Sequence, residues 1–155
     1  MTAADRERHR VELREKLARM LETVGFPHAI SRVYATLTMA PGEGMSTSEL
    51  MDELNVSKAT ISNTMQFLGG VELVERYRVP GSREAHYRVL KGKWGDIMVR
   101  KLAATSYITS VVREAKKVTD SPLALERLDE MEAVYSFFED EFKAVMDRWD
   151  ERMGR

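Results

Sequence analysis

Apolar residues recur along this chain at three- and four-residue steps in its outer parts, and switch briefly to a two-residue step in between. From about Ala4 to Val24, the positions Leu13, Leu17, Met20, Leu21 and Val24 fall on one stripe and predict an amphipathic helix. Gly25-Phe26-Pro27 ends it. Pro27, whose ring fixes φ near a helical value, is placed to open a second helix running to about Met39, with Ile30, Val33, Tyr34 and Leu37 inward. Pro41-Gly42-Glu43-Gly44 breaks that helix.

The next signals are caps. Ser46-Thr47-Ser48-Glu49 has the spacing of a capping box, opening a short helix with Leu50, Met51 and Leu54 inward. Asn55 tolerates the left-handed conformation of a tight helix end, and Ser57 is the next N-cap. Lys58 to about Leu68 then forms a helix with Ile61, Met65 and Leu68 inward, and Gly69-Gly70 is expected to stop it. Two strand-like runs follow, Leu73 to Val79 and Glu84 to Leu90, joined through Pro80-Gly81-Ser82-Arg83. The second alternates Ala85, Tyr87 and Val89 with His86 and Arg88, the pattern of a half-exposed strand in a hairpin.

After Gly95 the helical period returns. Trp94, Ile97, Met98, Leu102, Ile108, Val111 and Val112 line one helix, and Asp120-Ser121-Pro122 interrupts it. The last helix carries Leu128, Met131, Tyr135, Phe138, Phe142, Val145 and Trp149 at heptad spacing, a row that demands a partner helix. The expected fold is therefore mostly α with a small β-hairpin.

Composition narrows the chemistry. The 155 residues are 43% hydrophobic and 32% charged, enough apolar material to bury a core and unlike a disordered tail. The chain has no cysteine, which removes disulfides, thiolate metal sites and cysteine nucleophiles and fits a reducing cytoplasm. No stretch is apolar enough to span a bilayer, and the charged N-terminus has no signal-peptide core, so a cytoplasmic protein without membrane partners is expected. The net charge of −1 hides an asymmetry. Ser57 to Lys93 holds seven basic residues against three acidic, whereas Thr119 to Arg155 holds five against eleven. A polyanion would be drawn to the middle and repelled by the tail.

The unit from Ser46 to Leu90 reads as helix, tight turn, helix, hairpin, an arrangement that delivers the second helix into a major groove. Outward positions of that helix are Lys58, Ala59, Ser62, Asn63 and Gln66. They are small or hydrogen-bonding rather than rich in Glu and Lys, which suits contact with base edges. Asn63 and Gln66 have the amide geometry for adenine, and Ala59 or Thr60 offers a methyl to thymine. Arg83 at the hairpin tip, with Arg76, Arg78 and Arg88 on its strands, supplies phosphate or minor-groove contacts. The plain alternative is a capped helical hairpin with a polar outer face.

The run from Ser46 to Ser62 (STSELMDELNVSKATIS), with Leu73-Val74-Glu75-Arg76 and Gly81-Ser82-Arg83 downstream, resembles the winged helix-turn-helix core of the MarR family. Within it, the run is most similar to the branch holding the GbsR regulators of choline and glycine betaine uptake. The resemblance covers the central third closely and the flanking helices in layout only. It implies a transcription regulator, most simply a repressor, that dimerises through N- and C-terminal helices, reads a pseudo-palindrome and responds to a small ligand. By position it puts Ser57, Lys58, Thr60, Ser62 and Asn63 on the recognition helix and Arg83 at the wing arginine. Where many relatives have an Asp two residues before that arginine, this chain has Gly81, which implies a looser wing. The expected organisation is residues 1–40 for dimerisation and support, 41–92 for DNA binding and 93–155 for dimerisation.

Other chemistry is poorly supported. His9, His28 and His86 lack a second ligand at metal-site spacing, and Glu139-Asp140-Glu141 reads as a solvated face. No phosphate loop, nucleophile elbow or acid–base pair is present, so neither a cofactor nor catalysis is expected. Tyr34, Trp94 and Met98, with Phe26 and Tyr107 nearby in the pattern, suit either an effector pocket or plain core. Two rivals to specific DNA binding remain: a winged helix that docks a protein partner, and a nonspecific architectural DNA binder.

Overall fold

A computed structural model describes residues 2–154, apart from the side chains of Ala3 and residues 100–103. Leu102, counted above in the apolar row, lies outside the described residues. The chain divides into two compact units, Met1–Lys93 and Trp94–Arg155.

The first unit runs α1 (Ala3–Thr23), α2 (His28–Thr38), β1 (Met45–Ser46), α3 (Thr47–Leu54), α4 (Lys58–Gly70), β2 (Val74–Tyr77) and β3 (His86–Val89). Its hub is α2, which packs against α1, α3, α4 and β3 and buries Ile30, Val33, Tyr34, Ala35 and Leu37. Leu21, Leu50, Ile61, Leu68 and Leu73 close around it with no exposed surface. Each such aliphatic side chain contributes about 1.5–3 kcal/mol by leaving water. Pro27 does not open α2 from inside; it is the N-cap, with extended ψ, and its carbonyl accepts the Ser31 N–H at 2.9 Å.

The stripe expected on α1 is displaced. The row facing inward is Arg14, Ala18 and Leu21, all buried, while Leu13, Met20 and Val24 are exposed. Arg14 can sit inside because its guanidinium pairs with Glu53 of α3, which ties α1 to the next helical pair. A buried cation without that carboxylate would be strongly destabilising.

The sheet has three strands in the order β1-β3-β2, all antiparallel, where the sequence pattern indicated two. Met45 pairs with Tyr87 and Ser46 with His86, so β3 is the central strand and each of its residues is half-buried. That is why its alternation does not resolve into one wet and one dry face. Gly44 permits the approach: a Cβ there would lie 2.1 Å from the Tyr87 carbonyl oxygen.

The second unit is a helical hairpin of α5 (Trp94–Lys117) and α6 (Pro122–Met153). Ser121 caps α6 by accepting the Ala124 N–H, and Pro122 fills the first turn. The helices run antiparallel. Near the turn, Lys116 binds Asp129 at 2.5 Å and Glu132 at 2.7 Å, and Arg113 Nε donates to Glu132 at 2.7 Å. At the open end, Gly95 lies against the Trp149 indole, where a Cβ would be 2.9 Å from Nε1. Thr109 and Val112 are buried in α5, but α6 has no buried residue. Among the described residues no helix is long and apolar enough to cross a membrane.

Candidate nucleic-acid interface

Local chemistry fixes α3 and α4 as a pair. Ser46 accepts the Glu49 N–H at 3.2 Å while Glu49 accepts the Ser46 N–H at 2.6 Å, closing the capping box. Asn55 takes φ 51°, reversing the chain in the left-handed region, and the Val56 N–H reaches the Met51 carbonyl at 3.2 Å. Ser57 then accepts the Thr60 N–H at 3.2 Å and starts α4. Ile61, Thr64, Met65 and Leu68 anchor that helix inward. Gly69 and Gly70 lie within it rather than stopping it; Glu72, at φ 57°, makes the left-handed turn instead.

With that row buried, Ser57, Lys58, Ala59, Ser62, Asn63 and Gln66 all stand exposed on the opposite side. Thr60 is different. It is half-buried, its hydroxyl shares a 2.9 Å hydrogen bond with Ser57 Oγ, and it borders a shallow depression with Pro27 and Ile30. Its hydroxyl secures the start of the helix, while Ala59 beside it is exposed.

The hairpin places its arginines unequally. Its tip is a turn with Pro80 and Gly81 central, Gly81 at φ 84° and the Ser82 N–H closing on the Val79 carbonyl at 3.1 Å. Arg76 and Arg83 meet Lys58 and Ser62 around one groove of about 490 Å³ between α3, α4 and the hairpin. Arg78 is exposed on the strand exit. None of Lys58, Arg76, Arg78 and Arg83 pairs with a carboxylate among the described residues. Arg88, expected beside them, is spent internally. The β2–β3 register sets it opposite Glu75, whose carboxylate accepts from Nε at 2.6 Å. Glu43 takes Nη1, and the guanidinium lies 5.0 Å over the Tyr77 ring. Arg88 therefore fastens the sheet to the Glu43 loop, unlike the other three arginines of the hairpin.

The sequence reading missed how the base of the hairpin is held. The Thr47 N–H donates to the Ala85 carbonyl at 3.0 Å, and Ser48 Oγ donates to Glu84 Oε1 at 2.5 Å. That hydroxyl holds the Glu84 carboxyl below its ordinary range. These contacts fasten the base of the hairpin, whereas Gly81 stands at its tip in open space.

Fold likeness follows from this geometry. A solved transcriptional regulator covers 92% of this chain and 99% of its own at TM-score 0.70 and 19% identity. The fold is a winged helix flanked by further helices. In fold terms α3 and α4 are the two helices of the helix-turn-helix and β2–β3 is the wing. Residues 92–152 match the family model described as MmpR5-like MarR family transcriptional regulator, which describes regulators and not enzymes. Wild-type E. coli MarR in its apo form aligns over 94% of this chain and 97% of its own at 13% identity and TM-score 0.43. An S. aureus MepR–DNA complex covers 84% and 92% at 17% identity and TM-score 0.41. Scores that low carry no detail across. No curated protein sequence matches the chain significantly.

The three residues considered for an effector lie in different settings. Tyr34 is 1% exposed in the core of the winged-helix unit. Trp94 and Met98 instead line an almost wholly apolar groove of about 320 Å³ with Phe142, Val145, Met146 and Trp149, built within the second unit.

Proposed function

We propose that the chain is a MarR-family transcription regulator that binds duplex DNA sequence-specifically as a homodimer on a pseudo-palindromic operator. The observation that carries this reading is the convergence of Lys58, Arg76 and Arg83 on one groove beside an exposed amide-and-hydroxyl face of α4. Cations without carboxylate partners are what phosphates require, and Asn63 and Gln66 supply the hydrogen bonds that discriminate bases. The finer affinity, to the GbsR-like branch, rests on the central third, while residues 92–152 carry the MmpR5-like pattern. Repression follows if the operator overlaps a promoter, and the cytoplasm is where such a protein works.

Dimerisation is read from the exposed apolar side chains. Met131, Val134, Phe137 and Phe138 on α6, with Leu13 and Met20 on α1, lack cover in the single chain. Exposed apolar side chains in such number mark interaction faces, and a second copy presents the same rows in return. The Trp94–Trp149 groove is the place for an apolar or cationic effector. Both tryptophans of the chain line it, so their fluorescence reports occupancy. A flat signal across a panel of apolar cations removes the effector and leaves the fold untouched.

The test of the main reading is selection of bound duplexes from a random pool, followed by footprinting. Two protected half-sites about one helical turn apart, near 10 base pairs, are expected. Recovery of no preferred sequence turns the reading toward an architectural binder, and failure to retain any duplex turns it toward protein docking.

A further inference from the structure

The wing groove holds one carboxylate among its cations. Glu84 lines it with Lys58, Arg76 and Arg83, follows Arg83 directly in the chain and is exposed. Left to itself, a carboxylate on a mobile side chain would pair with one of these cations and cancel a charge that the DNA needs. It does not pair with any of them. Its Oε1 accepts from Ser48 Oγ at 2.5 Å, across the groove on the first turn of α3, and the Glu84 N–H donates to Ser82 Oγ at 3.2 Å.

We propose that Ser48 is a positioning residue for the wing: by binding the Glu84 carboxylate it keeps that charge off Arg83, Arg76 and Lys58 and leaves those cations to phosphate. The inference rests on the DNA-binding reading above. Three observations support it. Ser48 is exposed and not a cap, since Ser46 caps α3, so its hydroxyl has no competing structural duty. The neighbouring Thr47–Ala85 bond and the β1–β3 pairing hold the two sides of the latch at fixed separation. The lowered titration of Glu84 has the Ser48 hydroxyl as its largest cause.

The consequence is a rescue that plain loss of structure would not produce. Ser48→Ala releases Glu84 to neutralise a wing cation. Duplex binding should then fall roughly threefold to tenfold on specific and random sequences alike, with a salt slope about one unit shallower per protomer. Ser48→Thr keeps the hydroxyl and should bind like wild type. Adding Glu84→Gln to Ser48→Ala removes the charge and should restore binding and slope. The measurement is a fluorescence-anisotropy titration of the full chain at two salt concentrations, with thermal melts showing equal folding. Ser48→Ala that equals wild type, or a double variant as weak as Ser48→Ala, overturns the latch while DNA binding stands. A wild type that retains no duplex overturns the DNA reading, and the latch with it.

Discussion

The two units of this chain are built from similar apolar material and use it in opposite ways. In the first, α2 is buried on nearly every side, and all but one of the buried apolar side chains among the described residues lie here. In the second, the exception is Val112, and the 32-residue α6 buries nothing, although it carries Phe137, Phe138, Val145 and Trp149. A helix whose apolar row meets water over that length is not stabilised by propensity alone. The contrast separates a unit whose core closes around α2, leaving Leu13 and Met20 of α1 outside it, from a helical hairpin whose apolar row stays open. On the reading proposed here, DNA recognition falls to the unit with the closed core, and the open apolar row, together with α1, sets the spacing of two such units through a second copy.

The largest expected effect breaks the open row. Phe138→Asp places a charge in the middle of the α6 row, and sedimentation velocity should show loss of the dimer with loss of helical signal, since folding and association are linked. A stable, fully helical monomer at micromolar concentration would show instead that α5 and α6 need no partner. Next comes the closed core. Ile61→Ala removes a fully buried side chain under the recognition helix and should cost about 2–5 kcal/mol in denaturant unfolding. For the wild type, the unfolding midpoint should rise with protein concentration, since the proposed dimer draws on α1 and α6 together.

Smaller effects sharpen the same division. Asn55 occupies the left-handed region at φ 51°, so Asn55→Ala should cost about 1 kcal/mol and Asn55→Gly little or nothing. The smallest concerns the wing. Glu75→Ala leaves Arg88 with Glu43 alone, and for so exposed a pair the stability change should stay below about 1 kcal/mol. Its informative readout is the salt dependence of DNA binding, which should steepen slightly as Arg88 becomes available.

Legibility in the sequence followed the range of the interactions. Ser46-Glu49, Asn55 and Ser57 were readable because caps and tight turns act within four residues, and they set where α3 ends and α4 begins. The strand β1 was not, because two residues show no period; Gly44 hints at it only once Tyr87 is known to pass close by. The ion pairing of Arg88 was not legible because it depends on the register that sets the residue against Glu75. Arg14 was overlooked in the inward row of α1 because the carboxylate that admits it, Glu53, lies 39 residues away. Ser48 and Glu84 are 36 residues apart and carry no local signature. Tyr34 was grouped with Trp94 and Met98 by residue type, and burial separates it from them.

The measurement that bears most directly on the central claim is a binding titration at two salt concentrations on the preferred and a random duplex, for wild type, Lys58→Ala, Arg83→Ala and Asn63→Ala. Lys58→Ala and Arg83→Ala should weaken binding to both duplexes and flatten the salt dependence by about one unit per lost contact in each protomer. Asn63→Ala should cost roughly 1–3 kcal/mol per half-site on the preferred duplex alone and relax discrimination at one position. Three variants that bind like wild type, or a wild type with no salt-dependent affinity for any duplex, would contradict the account.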